Sequence, residues 1–210
     1  MRKNKILILI FLILIIAIPS VNAIGTLDIH VSVNEDSVSI SDSSIPFIDK
    51  DTSDMNNEII EYSASAIVNP DISNEEYLNH IRNICAKYGY NDINLHIDSI
   101  LNDNTLPLFS NVIGTSMEPT LHNGDLILIN RTKNVQVGDI VTCNDTEYGL
   151  IVKRVGAIEG DWIYLESDNK TRTYKLTITG VTKEEGLHKW VTRDTITGIV
   201  VNDLSQNIKF

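Results

Sequence analysis

Gly114-Thr115-Ser116-Met117-Glu118-Pro119-Thr120-Leu121 decides how the second half of this chain is read. An apolar stretch precedes it, Leu106-Pro107-Leu108-Phe109 to Val112-Ile113, and Gly124-Asp125-Leu126-Ile127-Leu128-Ile129 follows. The pattern is a strand, a Gly-Thr-Ser turn, a Pro-bounded segment and a second strand. Ser116 is the residue of the turn that can act as a nucleophile at carbon. Alone, it reads as an ordinary loop serine. Downstream, Gly149-Leu150-Ile151-Val152-Lys153-Arg154-Val155 is a strand with a lysine in its apolar middle.

Period-two alternation puts Ile151, Lys153 and Val155 on one face of that strand and Leu150, Val152 and Arg154 on the other. If the first face points inward, desolvation disfavours the Lys153 ammonium and makes a neutral amine available. A neutral amine within reach of a serine hydroxyl is a general base, which gives a Ser–Lys pair. The competing reading is a lysine on a strand edge, snorkelling to solvent beside Arg154. The presence of the Ser116 segment in the same chain favours the pair.

These segments, in this order, resemble a type I signal peptidase. The matching pieces are the Gly114–Leu121 stretch, Gly124-Asp125-Leu126-Ile127-Leu128, Gly138-Asp139-Ile140-Val141, Val152-Lys153-Arg154-Val155 with Gly160-Asp161, and Asp168-Asn169. Ile196-Thr197-Gly198-Ile199-Val200 is similar to the family's last core strand. The resemblance spans residues 106–204. Lysine at the base position makes it the bacterial-type Ser–Lys dyad, which is related to the self-cleaving repressor proteases. It implies a membrane-associated serine endopeptidase that removes signal peptides from exported preproteins with small residues at −1 and −3. It also implies a mainly β catalytic domain of folded-over, partly closed sheets, with no cofactor.

In this reading Ser116 attacks the substrate carbonyl and Lys153 takes its proton. The backbone N–H of Ser116, with a neighbouring amide, holds the oxyanion. Thr115, Ser116 and Met117 line the oxyanion site and substrate groove, with Met117 packed beneath the nucleophile. Arg154, Asp168 and Asn169 support the geometry; their bland reading is a solvated surface cluster. Two positions depart from the family pattern. Ser167 stands where the Asp-Asn box is usually preceded by glycine, and Lys170-Thr171-Arg172-Thr173-Tyr174-Lys175 follows the box. The family's Ser/Asp support is then sought at Thr182 and Glu184, across an inserted hairpin. Gly114 occupies a position where some relatives place a serine for the oxyanion. Two other functions stay in view: a catalytically inactive binding protein on the same β-fold, and a self-cleaving repressor-type protease.

Net charge is −11, which speaks against a nucleic-acid partner because a phosphate backbone demands a basic surface. Residues 24–105 carry fifteen acidic against three basic residues, and residues 106–210 thirteen against eleven. This break near residue 105 divides the chain into an acidic α+β module, 24–105, and a β-domain, 106–210. Residues 1–23 begin with Arg2, Lys3 and Lys5 and continue with 13 apolar residues, Ile6 to Ile18. They read as a signal peptide with Val21 and Ala23 at −3 and −1, or as an anchor helix. The resemblance favours the anchor, with the lipid bilayer as a partner. Either way the remainder lies on the extracytoplasmic side.

Within the module, residues 26–33 alternate as a strand, Asp36 to Glu58 reads as a loop, and residues 58–68 alternate again through Ile60, Tyr62, Ala64, Ala66 and Val68. Ser73 and Glu76 form a capping box for a helix with the stripe Tyr77, Ile81, Ile84, Cys85 and Tyr88, ended by Gly89. Ile93, Leu95 and Ile97 make one more strand. In the β-domain, Val135–Val141, Asp161–Leu165 and Tyr174–Ile178 read as short strands. Asp125, Asp139 and Asp161 each follow glycine and read as turn residues, as does His122. Cys85 and Cys143 could pair outside the cell, or remain buried thiols. The scattered histidines give no metal-ligand spacing.

Overall fold

The computed structural model describes residues 26–34, 37–45, 51–101, 104–178, 180–184, 186–206 and 208–210. The apolar segment read as a signal peptide or anchor lies outside them. No described helix is long and apolar enough to cross a membrane.

Strand β1 (Thr26–Val33) buries Leu27, Ile29, Val31 and Val33 on one face, as its alternation requires. β2 (Val38–Ile45) pairs with it antiparallel, and β3 (Ile93–Ser99) pairs with it in parallel. Two helices cover the apolar face, α1 (Ser53–Ala66) and α2 (Asn74–Lys87). The Ser73 hydroxyl accepts from the Glu76 amide while the Glu76 carboxylate accepts from the Ser73 amide, so the predicted capping box is complete. Gly89 follows the helix with a φ of 93°, a conformation that glycine adopts without strain.

The structure corrects two readings here. Residues 58–66 are helical rather than a strand, and within Asp36–Glu58 the described residues 38–45 and 53–58 are strand and helix rather than loop. β2 and the start of α1 fall within the second stretch, and α1 covers the first as far as Ala66. The buried stripe of α1 is Met55, Ile59, Ser63 and Ala66, a helical spacing. Its third member is polar, which hides the period. Ser63 is satisfied inside: its hydroxyl donates to the Ile59 carbonyl and lies 2.7 Å from the Tyr77 hydroxyl. The module is therefore strand, strand, helix, helix, strand.

The larger sheet runs β11 (His188–Thr192), β8 (Trp162–Glu166), β7 (Gly149–Glu159), β6 (Ile140–Asp145), β12 (Ile196–Asp203), β5 (Leu126–Asn130), β4 (Pro107–Asn111). A short β13 (Ile208–Lys209) pairs with β12. Register shifts interrupt β12 against both neighbours and β7 against β8. Such bulges bend strands, and the sheet curls around Val141, Cys143, Val155, Ile163 and Leu165. Curling brings Lys189 of β11 onto the buried Asp145 of β6, three strands away in sheet order. Gly198 on β12 permits the closest approach: a Cβ there would sit 2.4 Å from the Asn130 carbonyl oxygen.

Val135–Asp139 is a turn before β6, not the first part of a strand; the Asp139 carboxylate accepts from the Gln136 amide. A separate hairpin, β9 (Thr173–Thr177) and β10 (Gly180–Glu184), stands off the main sheet. A 3-10 turn, Arg193–Thr195, is the helical segment described beyond residue 106.

The composition break at residue 105 marks a covalent junction, but the hydrophobic core crosses it. Leu106, Phe109 and Leu128 belong to the cluster under α1 and α2. The Phe109 amide donates to the Ile67 carbonyl at 2.7 Å. Arg131 donates to the carbonyls of Ala66, Asn69 and Ile72 around the end of α1. Cys85 lies in this cluster and Cys143 in the curl of the larger sheet; both are free thiols, so they do not pair.

Candidate active site

Ser116 sits at the end of a turn that leaves β4 and returns into β5. Gly114 has a φ of 92°, which lets the chain reverse just before the nucleophile. The Gly114 amide donates to the Asn123 side chain, and the Asp125 carboxylate accepts from the His122 amide. Asp125 and His122 are thus turn residues, as read from sequence. Below the turn, Met117 and Leu121 are buried with Leu108, Val112, Ile127 and Ile129. The apolar anchor fixes the turn, so the half-buried Ser116 projects from a rigid base.

Lys153 comes from the middle of β7 and is 6% exposed. Its Nζ lies 2.7 Å from the Ser116 Oγ and donates to the Val152 carbonyl at 2.8 Å. Burial holds its pKa below the ordinary lysine value, against a smaller opposing pull from Asp168. A charged Nζ donates to both oxygens. Once neutral, it keeps a proton for Val152 and turns its lone pair to the Ser116 hydroxyl. That is the arrangement a general base needs.

Arg154, the next residue, points to the other face of β7. Its Nε and Nη2 donate to the two oxygens of Asp168 at 2.7 and 2.6 Å, and its Nη1 donates to the Gly138 carbonyl. Thr120 donates to Asp168 as well, at 2.5 Å. Burial alone would raise the Asp168 pKa, but the bonds from Arg154 and Thr120 hold it low, so it stays a carboxylate. Asn169 ties the same assembly to the nucleophile turn: its amide donates to the Ser116 carbonyl at 3.0 Å and its side chain to the Thr115 carbonyl at 2.9 Å. Arg154, Asp168 and Asn169 are a connected clamp on the turn. Thr120, four residues past Ser116 in the quoted motif, belongs to it and was not singled out from sequence.

The groove residues read from sequence divide. Ser116 lines the cleft, while Met117 is buried beneath it and Thr115 faces solvent. The cleft, of about 410 Å³, runs between the end of β4 (Ser110 to Ile113) and the first half of β7 (Leu150 to Lys153). Its other side chains are mainly branched aliphatics, Val112, Ile127 and Val152 among them. The amides of Ser116 and Met117 donate to no acceptor among the described residues, which leaves them for an oxyanion.

Glu184 and Thr182 fall on β10, opposite Thr173 and Lys175. A hairpin does lie between the Asp168-Asn169 segment and β11, and those two side chains lie outside what is described. Ser167, in place of the family's glycine, is fully buried, and its amide donates to the Leu187 carbonyl. Space for it comes from Gly186, where a Cβ would stand 2.6 Å from the Ser167 Cβ. Among the described residues no group of three or more acidic, His or Cys side chains could hold a metal.

Residues 88–185 match the protein-family model described as Peptidase S24-like. The match covers a little under half of the chain and includes both Ser116 and Lys153. It supports a serine peptidase of the Ser–Lys type. No curated protein matches the chain.

Proposed function

We propose that this protein is a membrane-associated serine endopeptidase that removes signal peptides from exported preproteins. The observation that carries the peptidase reading is the buried Lys153 amine 2.7 Å from the Ser116 hydroxyl. Ser116 adds to the scissile carbonyl as Lys153 accepts its proton. The oxyanion is met by the free Ser116 and Met117 amides. The protonated Lys153 then delivers the proton to the departing amine, and water releases the acyl group by the same base.

Two open strand edges suit an extended substrate. The Phe109 amide points outward to Ile67 and the Val112 amide inward to Asp125, so alternation turns the backbone of Asn111 and Ile113 toward the cleft. On β7, Val155 bonds toward the β6 side, so Leu150 and Val152 present their backbone to the other side. A peptide laid between them gains main-chain bonds, and the aliphatic lining favours small apolar side chains beside the cleaved bond. The N-terminal apolar run with its basic flank supports membrane attachment and an extracytoplasmic catalytic side.

Self-cleavage is the second reading, favoured by the Peptidase S24-like match. One experiment separates the two. Detergent-solubilised full-length protein is incubated with a preprotein carrying an Ala-x-Ala site, alongside Ser116→Ala and Lys153→Ala. Cleavage in trans by wild type, lost in both variants, supports signal-peptide removal. Concentration-independent cleavage of the chain itself, with the preprotein intact, supports self-cleavage. Retention of activity in Lys153→Ala would remove the dyad.

A further inference from the structure

Ile113 and Tyr148 are large apolar residues left in solvent, 90% and 56% exposed, and both line the cleft that holds the dyad. They stand on opposite walls. Ile113 follows β4, and Tyr148 ends the turn between β6 and β7. A lone exposed apolar side chain is ordinary; two at the lips of one catalytic cleft are a binding feature.

The Tyr148 turn is held in place. The carboxylate of Asp145 accepts from the amides of Glu147 and Tyr148. Its other oxygen is paired with Lys189, reaching across from β11. The Asp145 carboxylate is buried while the Lys189 side chain reaches it from the surface, and the pair fastens the turn to the far side of the curled sheet. The apparatus fixes a residue with no part in the Ser–Lys chemistry.

We infer that Tyr148 and Ile113 form an outer gate that selects peptides carrying a large apolar side chain about five residues from the cleaved bond. The inference rests on the peptidase reading and extends it. Tyr148 stands just before β7, five residues ahead of Lys153, and at about 3.3 Å per strand residue that separation is roughly 16 Å. A substrate strand beside β7 rises at the same pitch, so Tyr148 meets the side chain about five positions away. The small-residue recognition beside Ser116 is thereby supplemented by a second, distant contact of opposite preference.

The test uses the full-length protein and quenched fluorescent peptides with an Ala-x-Ala centre. Positions four to six on either side of the cleaved bond carry leucine in one series and glutamine in the other. Wild type is expected to favour leucine at one of these positions by about tenfold in kcat/KM, the scale of one apolar side chain in a pocket. Tyr148→Ala should abolish that preference, and Tyr148→Phe should keep it, since the ring and not the hydroxyl makes the contact. Equal cleavage of both series by wild type, or a preference that survives Tyr148→Ala, would overturn the gate. The same peptides are also titrated onto Ser116→Ala by fluorescence anisotropy. Binding there that favours leucine, lost when Tyr148→Ala is added, supports the gate whether or not wild type cleaves; indifferent binding overturns it. Absence of cleavage with selective binding counts against the peptidase reading alone.

Discussion

Arg154 and Asp168 are joined by two parallel hydrogen bonds, 2.7 and 2.6 Å long, immediately behind the strand position that carries Lys153. The pair does more than brace the turn. Asp168 is the anion that Lys153 feels, and Arg154 is the cation that Asp168 is paired with.

Asp168→Asn removes the one charge that raises the Lys153 pKa and leaves the Arg154 cation unbalanced beside it. The pKa of Lys153 should fall further, and the rising limb of the kcat/KM profile should move to lower pH. The loosened turn should also reduce the maximal rate, by roughly tenfold or more if a misplaced nucleophile is the cause. A pH–rate profile that keeps its limb while the rate falls would assign Asp168 a purely structural role.

Stability should carry the signature of the same lysine. Because burial depresses the folded-state pKa, the unfolded chain binds the proton more tightly. Between the folded pKa and the ordinary value near 10.5, stability therefore rises with pH, and below that window the folded state bears the cost of the buried cation. Lys153→Met removes the slope and should raise the melting temperature at neutral pH while abolishing cleavage. Thermal melts of both proteins from neutral to alkaline pH check this.

Asp203 is fully buried beside Asp125, with one oxygen that has no hydrogen-bond partner. Burial, and then the neighbouring Asp125 carboxylate, raise its pKa. The folded state holds this proton more tightly than the unfolded state, so stability falls as pH rises from the unfolded pKa toward the raised one. Asp203→Asn supplies a neutral donor to Asp125 and should flatten the acid-side stability profile. Its stability above that window should match or exceed that of wild type, measured by denaturant unfolding.

Phe109 belongs to the core shared by the two sheets. Phe109→Ala should cost about 3–5 kcal/mol, the usual range for a buried aromatic. The loss should appear as one cooperative transition shifted downward. Two separated transitions would show that residues on either side of position 105 fold independently.

The legible parts of this chain were those where chemistry and period agree. β1 and α2 have clean apolar alternation or a clean stripe, and α2 announces its start with Ser73 and Glu76. The proximity of Ser116 and Lys153 was legible because the two residues sit in motifs of a recognisable order. α1 was misread because Ser63, a polar member of its buried stripe, is satisfied by Tyr77 from another helix, a partner invisible locally. β2 is a Ser-rich edge strand whose pairing with β1 supplies what its composition lacks. Tyr148 and Ile113 line one cleft only through the curl of the sheet, which arises at bulges far apart in the chain and leaves no local signal.

Ser167 and Gly186 share a space that holds one side chain. They also bracket the β9–β10 hairpin, one at each root. The serine at position 167, where the family resemblance expects glycine, fits because the residue across the root, Gly186, has no Cβ. The two positions should tolerate exchange only as a pair. The tip of the hairpin, at Ile178, lies in open solvent away from that constraint. Residues inserted beside Ile178 should therefore leave peptide cleavage intact, whereas a side chain larger than serine at position 167, or any at position 186, should not.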